Sequence, residues 1–142
     1  MIQKLKIFAK YLILFLIGGF IYCCIELMFR GYTFSSMFIV GGLCFIACGA
    51  VNEFLQRDTP LWIQMLICCV IITTLEFISG CILNLALGLE VWDYSDQFLN
   101  ICGQVCLKFS IGWYFLSAAA IILDDYIRYW FWKEEKPRYK LV

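Results

Sequence analysis

The chain has 142 residues, of which 63% are hydrophobic and only 15% are charged, and 11 basic residues balance 11 acidic ones. Soluble domains are about half apolar and about a quarter charged, so a mean hydropathy of +0.85 is typical of an integral membrane protein. The zero net charge and the absence of long basic runs argue against nucleic acid as a partner. There is no histidine, which removes most zinc, haem and Ser-His-Asp chemistry. We therefore expect no metal and no cofactor.

Four segments are long and apolar enough to cross a bilayer, which takes about 20 residues. They cover residues 7–29, 34–55, 61–83 and 98–123. The connections are short except for residues 84–97, so the pattern predicts an all-α, polytopic membrane protein. We expect one transmembrane domain over residues 1–142, with four transmembrane helices in two hairpins. The nine cysteines all lie in apolar runs and are interpreted as packing residues rather than disulfides.

The basic residues are distributed asymmetrically along the chain. Arg30 is the one basic residue in the two predicted outer loops, and Lys108 falls inside a predicted span. The other nine lie at the termini or in the middle loop: Lys4, Lys6, Lys10, Arg57, Arg128, Lys133, Lys136, Arg138 and Lys140. The positive-inside rule then predicts a protein of the cell membrane with both termini in the cytoplasm.

Two polar groups are expected near the cytoplasmic surface. Residues 124–133 carry five aromatic side chains, which is typical of an interfacial helix or a helix extension in the headgroup layer. Within that segment Asp124 and Arg128 are four residues apart and are predicted to pair on the helix surface. At the end of the second span we expect a helix cap, for which a functional role stays open, formed by Asn52, Glu53, Arg57 and Asp58.

Three ionisable residues lie inside the predicted spans, where charged groups normally face a bundle interior or a polar cavity. At about 1.5 Å per residue, the predicted depths from the outer surface are roughly 5 Å for Glu26, roughly 10 Å for Glu76 and roughly 15 Å for Lys108. The last two are therefore close enough in depth to form a pair. All three would lie in the outer half of the membrane.

Helical spacing extends this polar region. Asn100, Gln104, Lys108 and Gly112 recur every four residues, which predicts one stripe on the fourth helix. Stripes of polar and small residues should turn toward each other, so we predict an outward-facing polar pocket roofed by the loop before the fourth span. Its candidate ligand-binding residues are Glu26, Arg30, Glu76, Asn84, Trp92, Asp93, Tyr94, Asn100, Gln104 and Lys108. The same residues would also suit a structural role that fixes helix register.

Several short motifs occur in a characteristic order. They are Gly31-Tyr32, Asn52-Glu53, Leu75-Glu76-Phe77, Val91-Trp92-Asp93-Tyr94-Ser95 and Gly103-Gln104. In this order, over about residues 18–132, the chain resembles the bacterial ABC-transporter type IV (CmpB-like) permease family, and the Trp-Asp-Tyr-Ser stretch is the most specific part. The resemblance implies a permease-type membrane protein, and the family name implies an ATP-binding partner subunit. It names no ligand.

Three functions remain open from the sequence. The favoured one is a small transporter that binds a polar or amphiphilic ligand, with Glu26 and Glu76 as ligand- or proton-binding carboxylates and Lys108 as counter-ion. Such a small bundle would need to act as a homodimer. The second is an intramembrane enzyme for lipid or lipid-linked headgroups, with Glu76 as general base and Asp93 as acid or metal ligand. The third is a structural or regulatory subunit whose polar stripes bind partner helices.

Overall fold

The computed structural model describes residues 1–56 and 58–142, and within them the fold is helical. The elements are α1 (Ile2–Arg30), α2 (Ser35–Phe54), α3 (Leu61–Gly80) with a π-helical continuation (Cys81–Ala86), and α4 (Leu107–Trp132). All four helices are long and apolar enough to span a membrane. This part of the chain has no β-strand, so the predicted all-α, four-helix membrane fold is confirmed. Arg57, which entered the charge count and the predicted α2 cap, lies outside the described residues.

The chain divides into two compact units, Met1–Ala47 and Cys48–Val142, with the division inside α2. In the N-terminal unit, α1 and the first part of α2 approach closely at glycines. A Cβ added at Gly42 would lie 2.6 Å from the Phe15 ring, and one at Gly19 would lie 2.5 Å from the Phe38 carbonyl oxygen. Small residues at such crossings let helix backbones pack in lipid, where no hydrophobic effect draws helices together.

In the C-terminal unit, α3 packs against α4. The buried positions of α3 recur every three or four residues, which defines one face, at Leu61, Gln64, Cys68, Ile72, Glu76 and Gly80. The Thr73 hydroxyl donates to Ser110 Oγ on α4 at 3.2 Å. The outward positions, such as Leu66, Val70 and Phe115, are exposed and apolar, as lipid contact requires.

The fourth helix starts later than the sequence predicted. It begins at Leu107 rather than at residue 98, and it continues to Trp132, so the aromatic segment is an extension of α4. The reason is backbone conformation: Leu99, Cys102 and Gly103 have φ of 50°, 53° and 68°, which a right-handed helix cannot contain. Apolar side chains in this stretch made a loop look like a membrane span.

This shift overturns the predicted stripe on the fourth helix. Asn100 and Gln104 lie in the loop before α4, so they do not share a helical face with Lys108 and Gly112. Lys108 is in the first turn of α4, and the depth of roughly 15 Å that assumed an earlier helix start does not apply to it.

Candidate functional site

A buried carboxylate lies between α3 and α4, near the loop that joins them. Glu76, on α3, is only 6% exposed. Its Oε2 accepts a hydrogen bond from the Trp113 indole N–H of α4 at 2.9 Å, and its Oε1 accepts one from the Tyr94 hydroxyl at 3.2 Å. Both donors are neutral, and among residues 1–56 and 58–142 the structure has no ion pair to Glu76. The carboxylate is therefore hydrogen-bonded without a positive charge beside it.

Three of the predicted site residues are hydrogen-bonded where the loop before α4 meets the π-helical continuation of α3. Asn84 donates from Nδ2 to Gln104 Oε1 at 2.8 Å, and its Oδ1 accepts the Val91 N–H at 2.7 Å. The Trp92 indole N–H donates to the Gln104 carbonyl oxygen at 2.9 Å. Position 80 requires glycine, because a Cβ added at Gly80 would lie 2.6 Å from Gln104 Oε1. The structure thus places Glu76 and Tyr94 in one hydrogen-bonded group and Asn84, Trp92 and Gln104 in another.

Asp93 and Asn100 belong to the same loop but hold its turns. Asp93 Oδ1 accepts hydrogen bonds from the Ser95 hydroxyl and, at 2.9 Å, from the Ser95 N–H. These bonds, the hydroxyl first, hold the pKa of the exposed Asp93 carboxyl below its usual value. Asn100 donates to the Gln97 carbonyl oxygen at 2.9 Å and accepts from the Gly103 N–H at 3.1 Å. Both side chains therefore act locally on the loop backbone.

The expected pair between Glu76 and Lys108 does not form. Lys108 is exposed, and its ammonium lies 5.6 Å from the centroid of the neighbouring Phe109 ring. The donors to Glu76 are Trp113 and Tyr94 instead. Trp113 was missing from the predicted site, although an indole N–H inside an apolar helix needs an acceptor. That requirement could have indicated from the sequence that Trp113 bonds to a buried acceptor such as Glu76.

Glu26 and Arg30 form a separate cluster in the N-terminal unit. The Arg30 guanidinium donates to Glu26 Oε1 at 2.7 Å, one helical turn apart, as their spacing allowed. The Thr33 hydroxyl donates to Glu26 Oε2 at 2.6 Å. Arg30 also lies over the Tyr32 ring, 4.8 Å from its centroid. Unlike Glu76, Glu26 has a positive charge in contact.

A second buried charge cluster lies near the C-terminal end of α4. Asp124 is 0% exposed and Arg128 is 3% exposed, and the Arg128 Nε–H donates to Asp124 Oδ2 at 2.6 Å. Arg128 also forms an ion pair with Glu53 of α2. The predicted pairing is therefore present, but its placement on the helix surface was wrong, because α4 turns this face toward α2 and α3.

In the part of the chain that the structure describes, no group of three or more Cys, Asp or Glu side chains is arranged to hold a metal ion. Four helices that can span a membrane, with a buried carboxylate that accepts hydrogen bonds from two neutral donors, define a multi-pass membrane protein with polar groups in its interior. The chain belongs to the family described as "Putative ABC-transporter type IV", whose profile matches residues 7–139. This confirms the resemblance found in the sequence. No curated protein and no solved structure matches the chain.

Proposed function

We propose that the protein is a small permease-type membrane transporter whose C-terminal hairpin binds a polar or amphiphilic ligand through a cationic group at Glu76. One observation carries the proposal. The Glu76 carboxylate is buried inside a helix that can span the membrane, and its partners are the neutral donors Tyr94 and Trp113. A carboxylate in apolar surroundings is normally balanced by a positive charge. A ligand cation would supply that charge.

The loop of residues 87–106 would act as the gate to this site. Tyr94 bonds to Glu76 through its hydroxyl and stacks on Phe109 with ring centroids 4.6 Å apart, so the same side chain closes the site and rests on α4. Gln104 holds the loop to the π-helical continuation of α3 through Asn84, and Trp92 bonds to Gln104 within the loop. Ligand entry would require Tyr94 to leave Glu76. By the charge distribution, this loop faces outward.

The family name supports an ABC-transporter context. In that context an ATP-binding partner subunit would supply the energy, and the chain would contribute the membrane-embedded site. Four helices enclose little volume, so we propose a homodimer as the transporting unit. Co-purification of an ATP-binding subunit in a fixed ratio would support this arrangement.

The geometry favours ligand binding over the enzyme alternative. A headgroup hydrolase would need Glu76 and Asp93 to act together on one substrate. The Asp93 carboxylate is instead exposed and engaged by Ser95 in its own turn, while Glu76 is buried and held by Trp113. The proposed roles therefore place Glu76 at the ligand and Asp93 in the gate.

The test uses tetraphenylphosphonium, an amphiphilic cation, and the melting temperature of the purified full chain in detergent. At a concentration tenfold above its Kd, a ligand stabilises the folded state by about 1.4 kcal/mol. We expect the wild type to melt at a higher temperature with the cation, and Glu76→Gln to lose this response. The matched control is Asp96→Asn, the same chemical change at an exposed position of the loop. Equal stabilisation of wild type and Glu76→Gln, or no stabilisation of the wild type, would overturn the proposal.

A further inference from the structure

A large polar cavity lies in the C-terminal unit, at the end of α3 and α4 that is distant from Glu76. Its volume is about 970 Å³. The inner wall includes Asn52, Glu53, Gln64, Asp125 and Arg128, and the outer wall is the C-terminal tail, residues 133–138. We call it the tail cavity. The proposed transport site uses none of these residues.

The tail is fastened across this cavity at both of its sides. The Leu61 N–H, at the start of α3, donates to the Lys140 carbonyl oxygen at 2.8 Å. The Tyr139 hydroxyl donates to Asp125 Oδ2 on α4 at 2.7 Å. Burial, and then this hydrogen bond to Asp125, raise the pKa of Tyr139 above its usual value, so the phenol keeps its donor proton at neutral pH. The tail is thus a defined wall of the cavity.

Among the residues of the inner wall that the structure describes, three are acidic (Glu53, Asp58 and Asp125) and one is basic (Arg128). Arg128 is shared between Asp124 and Glu53. Asp125 accepts from Tyr139 and, at 2.5 Å, from Asn52 Nδ2, both of which are neutral donors. The wall favours a positively charged occupant.

Gln64 points to the chemistry of that occupant. It is only 5% exposed, and its Nε2 donates to the Thr59 carbonyl oxygen at 3.0 Å, which fixes the orientation of the amide. Its Oε1 is buried and has no hydrogen-bond partner among the residues that the structure describes. A buried acceptor is costly unless a donor reaches it. An N–H group entering the cavity would satisfy it.

We propose that the tail cavity binds a primary ammonium group, with Gln64 Oε1 accepting one N–H and the Asp125 and Glu53 carboxylates balancing the charge. The ammonium belongs either to a small soluble amine or to the ethanolamine headgroup of a lipid.

The experiment compares ethylammonium with tetramethylammonium, which carries the same charge but no N–H. The melting temperature of the purified full chain is measured in amine-free detergent buffer at constant ionic strength. We expect ethylammonium to raise the melting temperature and tetramethylammonium to leave it unchanged. Equal responses to the two cations would overturn the role of Gln64. Stabilisation by inorganic phosphate but not by ethylammonium would overturn the proposal as a whole.

Variants of the cavity wall locate the response. In Gln64→Leu, which removes the acceptor, we expect half-maximal stabilisation to need at least a tenfold higher ethylammonium concentration. Gln64→Glu keeps an acceptor and should keep the response. Asp125→Asn and Glu53→Gln should each weaken it, and they test the proposal independently if Gln64→Leu folds poorly. Asp96→Asn should respond as the wild type does, and so should Glu76→Gln, which separates this site from the transport site. A full response in Gln64→Leu, Asp125→Asn and Glu53→Gln would contradict the assignment.

Nanodiscs distinguish the two sources of the ammonium group. If the lipid headgroup is the ligand, phosphatidylethanolamine added to phosphatidylcholine discs will stabilise the wild type more than Gln64→Leu. If a soluble amine is the ligand, ethylammonium alone will do so. Either result supports the proposal. No stabilisation in either arm would overturn it.

Discussion

At the scale of single residues, the ion pairs of this protein differ mainly in how deeply their side chains are buried. Arg128, Asp124 and Glu53 form a cluster in which the arginine and Asp124 are almost completely enclosed. Lys140 and Asp58 form a pair at 3.1 Å with side chains that are 57% and 83% exposed. Desolvation makes the first cluster sensitive to loss of one partner, whereas water can replace either partner of the second.

Removal of Arg128 is therefore expected to be much more destabilising than removal of Lys140. Arg128→Met leaves Asp124 buried without its countercharge, which should cost about 3–5 kcal/mol of the free energy of unfolding. The control Lys140→Met breaks an exposed pair and should cost less than about 1 kcal/mol. Unfolding in mixed micelles with increasing sodium dodecyl sulfate measures both. Similar losses in the two variants would show that the Arg128 cluster is not buried as described.

The Glu76 site shows how far residue-scale prediction reached. The sequence selected Glu76, Asn84, Gln104, Trp92 and Tyr94 as polar or aromatic residues near one end of the bundle. In the structure Tyr94 bonds to Glu76, whereas Asn84 and Trp92 bond to Gln104. The predicted pairing of Lys108 with Glu76 was wrong because the depth of Lys108 was counted from residue 98, whereas α4 begins at Leu107. Charge and sequence spacing cannot reveal such an error, since both depend on the assumed helix start.

At the scale of elements, the connection between α3 and α4 differs most from prediction. Apolar residues such as Phe98, Leu99 and Ile101 resemble a membrane span in composition, yet they are exposed in a loop. Gly103 lies near the end of this loop that leads into α4: its φ is 68° and its carbonyl oxygen accepts the Tyr94 N–H at 2.8 Å. Hydrophobicity reports how well a segment suits lipid, but it does not report backbone dihedral angles.

Three glycine-to-alanine substitutions distinguish the effect of a positive φ from the effect of steric contact with an added Cβ. Gly112 is helical with nothing within 4 Å of an added Cβ, so Gly112→Ala should stabilise the protein by up to about 1 kcal/mol. Gly88 has φ +63° and the same open space, and Gly88→Ala should cost about 1–2 kcal/mol. Gly103→Ala should cost more than Gly88→Ala, because its Cβ would also lie 2.5 Å from Ser95 Oγ.

The same detergent titration measures this series. From most to least stable, the expected order is Gly112→Ala, wild type, Gly88→Ala and then Gly103→Ala. If Gly103→Ala were as stable as the wild type, the turn that joins Asp93, Ser95 and Gly103 would not have the described conformation. Gly88→Ala then indicates whether the positive φ alone accounts for the loss.

At the scale of the whole molecule, sidedness follows from charge and remains a prediction. We expect the loop of residues 87–106 to face outward and the C-terminal tail to face the cytoplasm. Cys102 is exposed in that loop, and the other eight cysteines are partly or fully buried. A membrane-impermeant maleimide should therefore label the protein in intact cells through Cys102.

Two variants serve as controls for this labelling. Cys102→Ser should abolish labelling of intact cells. Leu141→Cys, in the Cys102→Ser background, should be labelled only after the cells are permeabilised, because the tail would lie inside. Labelling of Leu141→Cys in intact cells would reverse the proposed orientation.

The amino-acid sequence by itself determined the membrane class, the family and the four helices, and it selected Glu76, Tyr94, Asn84 and Gln104 as candidate site residues. These follow from segment length, apolar composition and local motifs, which are properties of the chain alone. Tertiary structure decided the start of α4, the neutral donors to Glu76, the burial of Arg128 and the cavity under the tail. The start of α4 depends on the backbone conformation of the preceding loop, and the other three depend on groups far apart in the sequence. Whether a charge is paired, buried or near a cavity is therefore decided when the helices and the tail pack together.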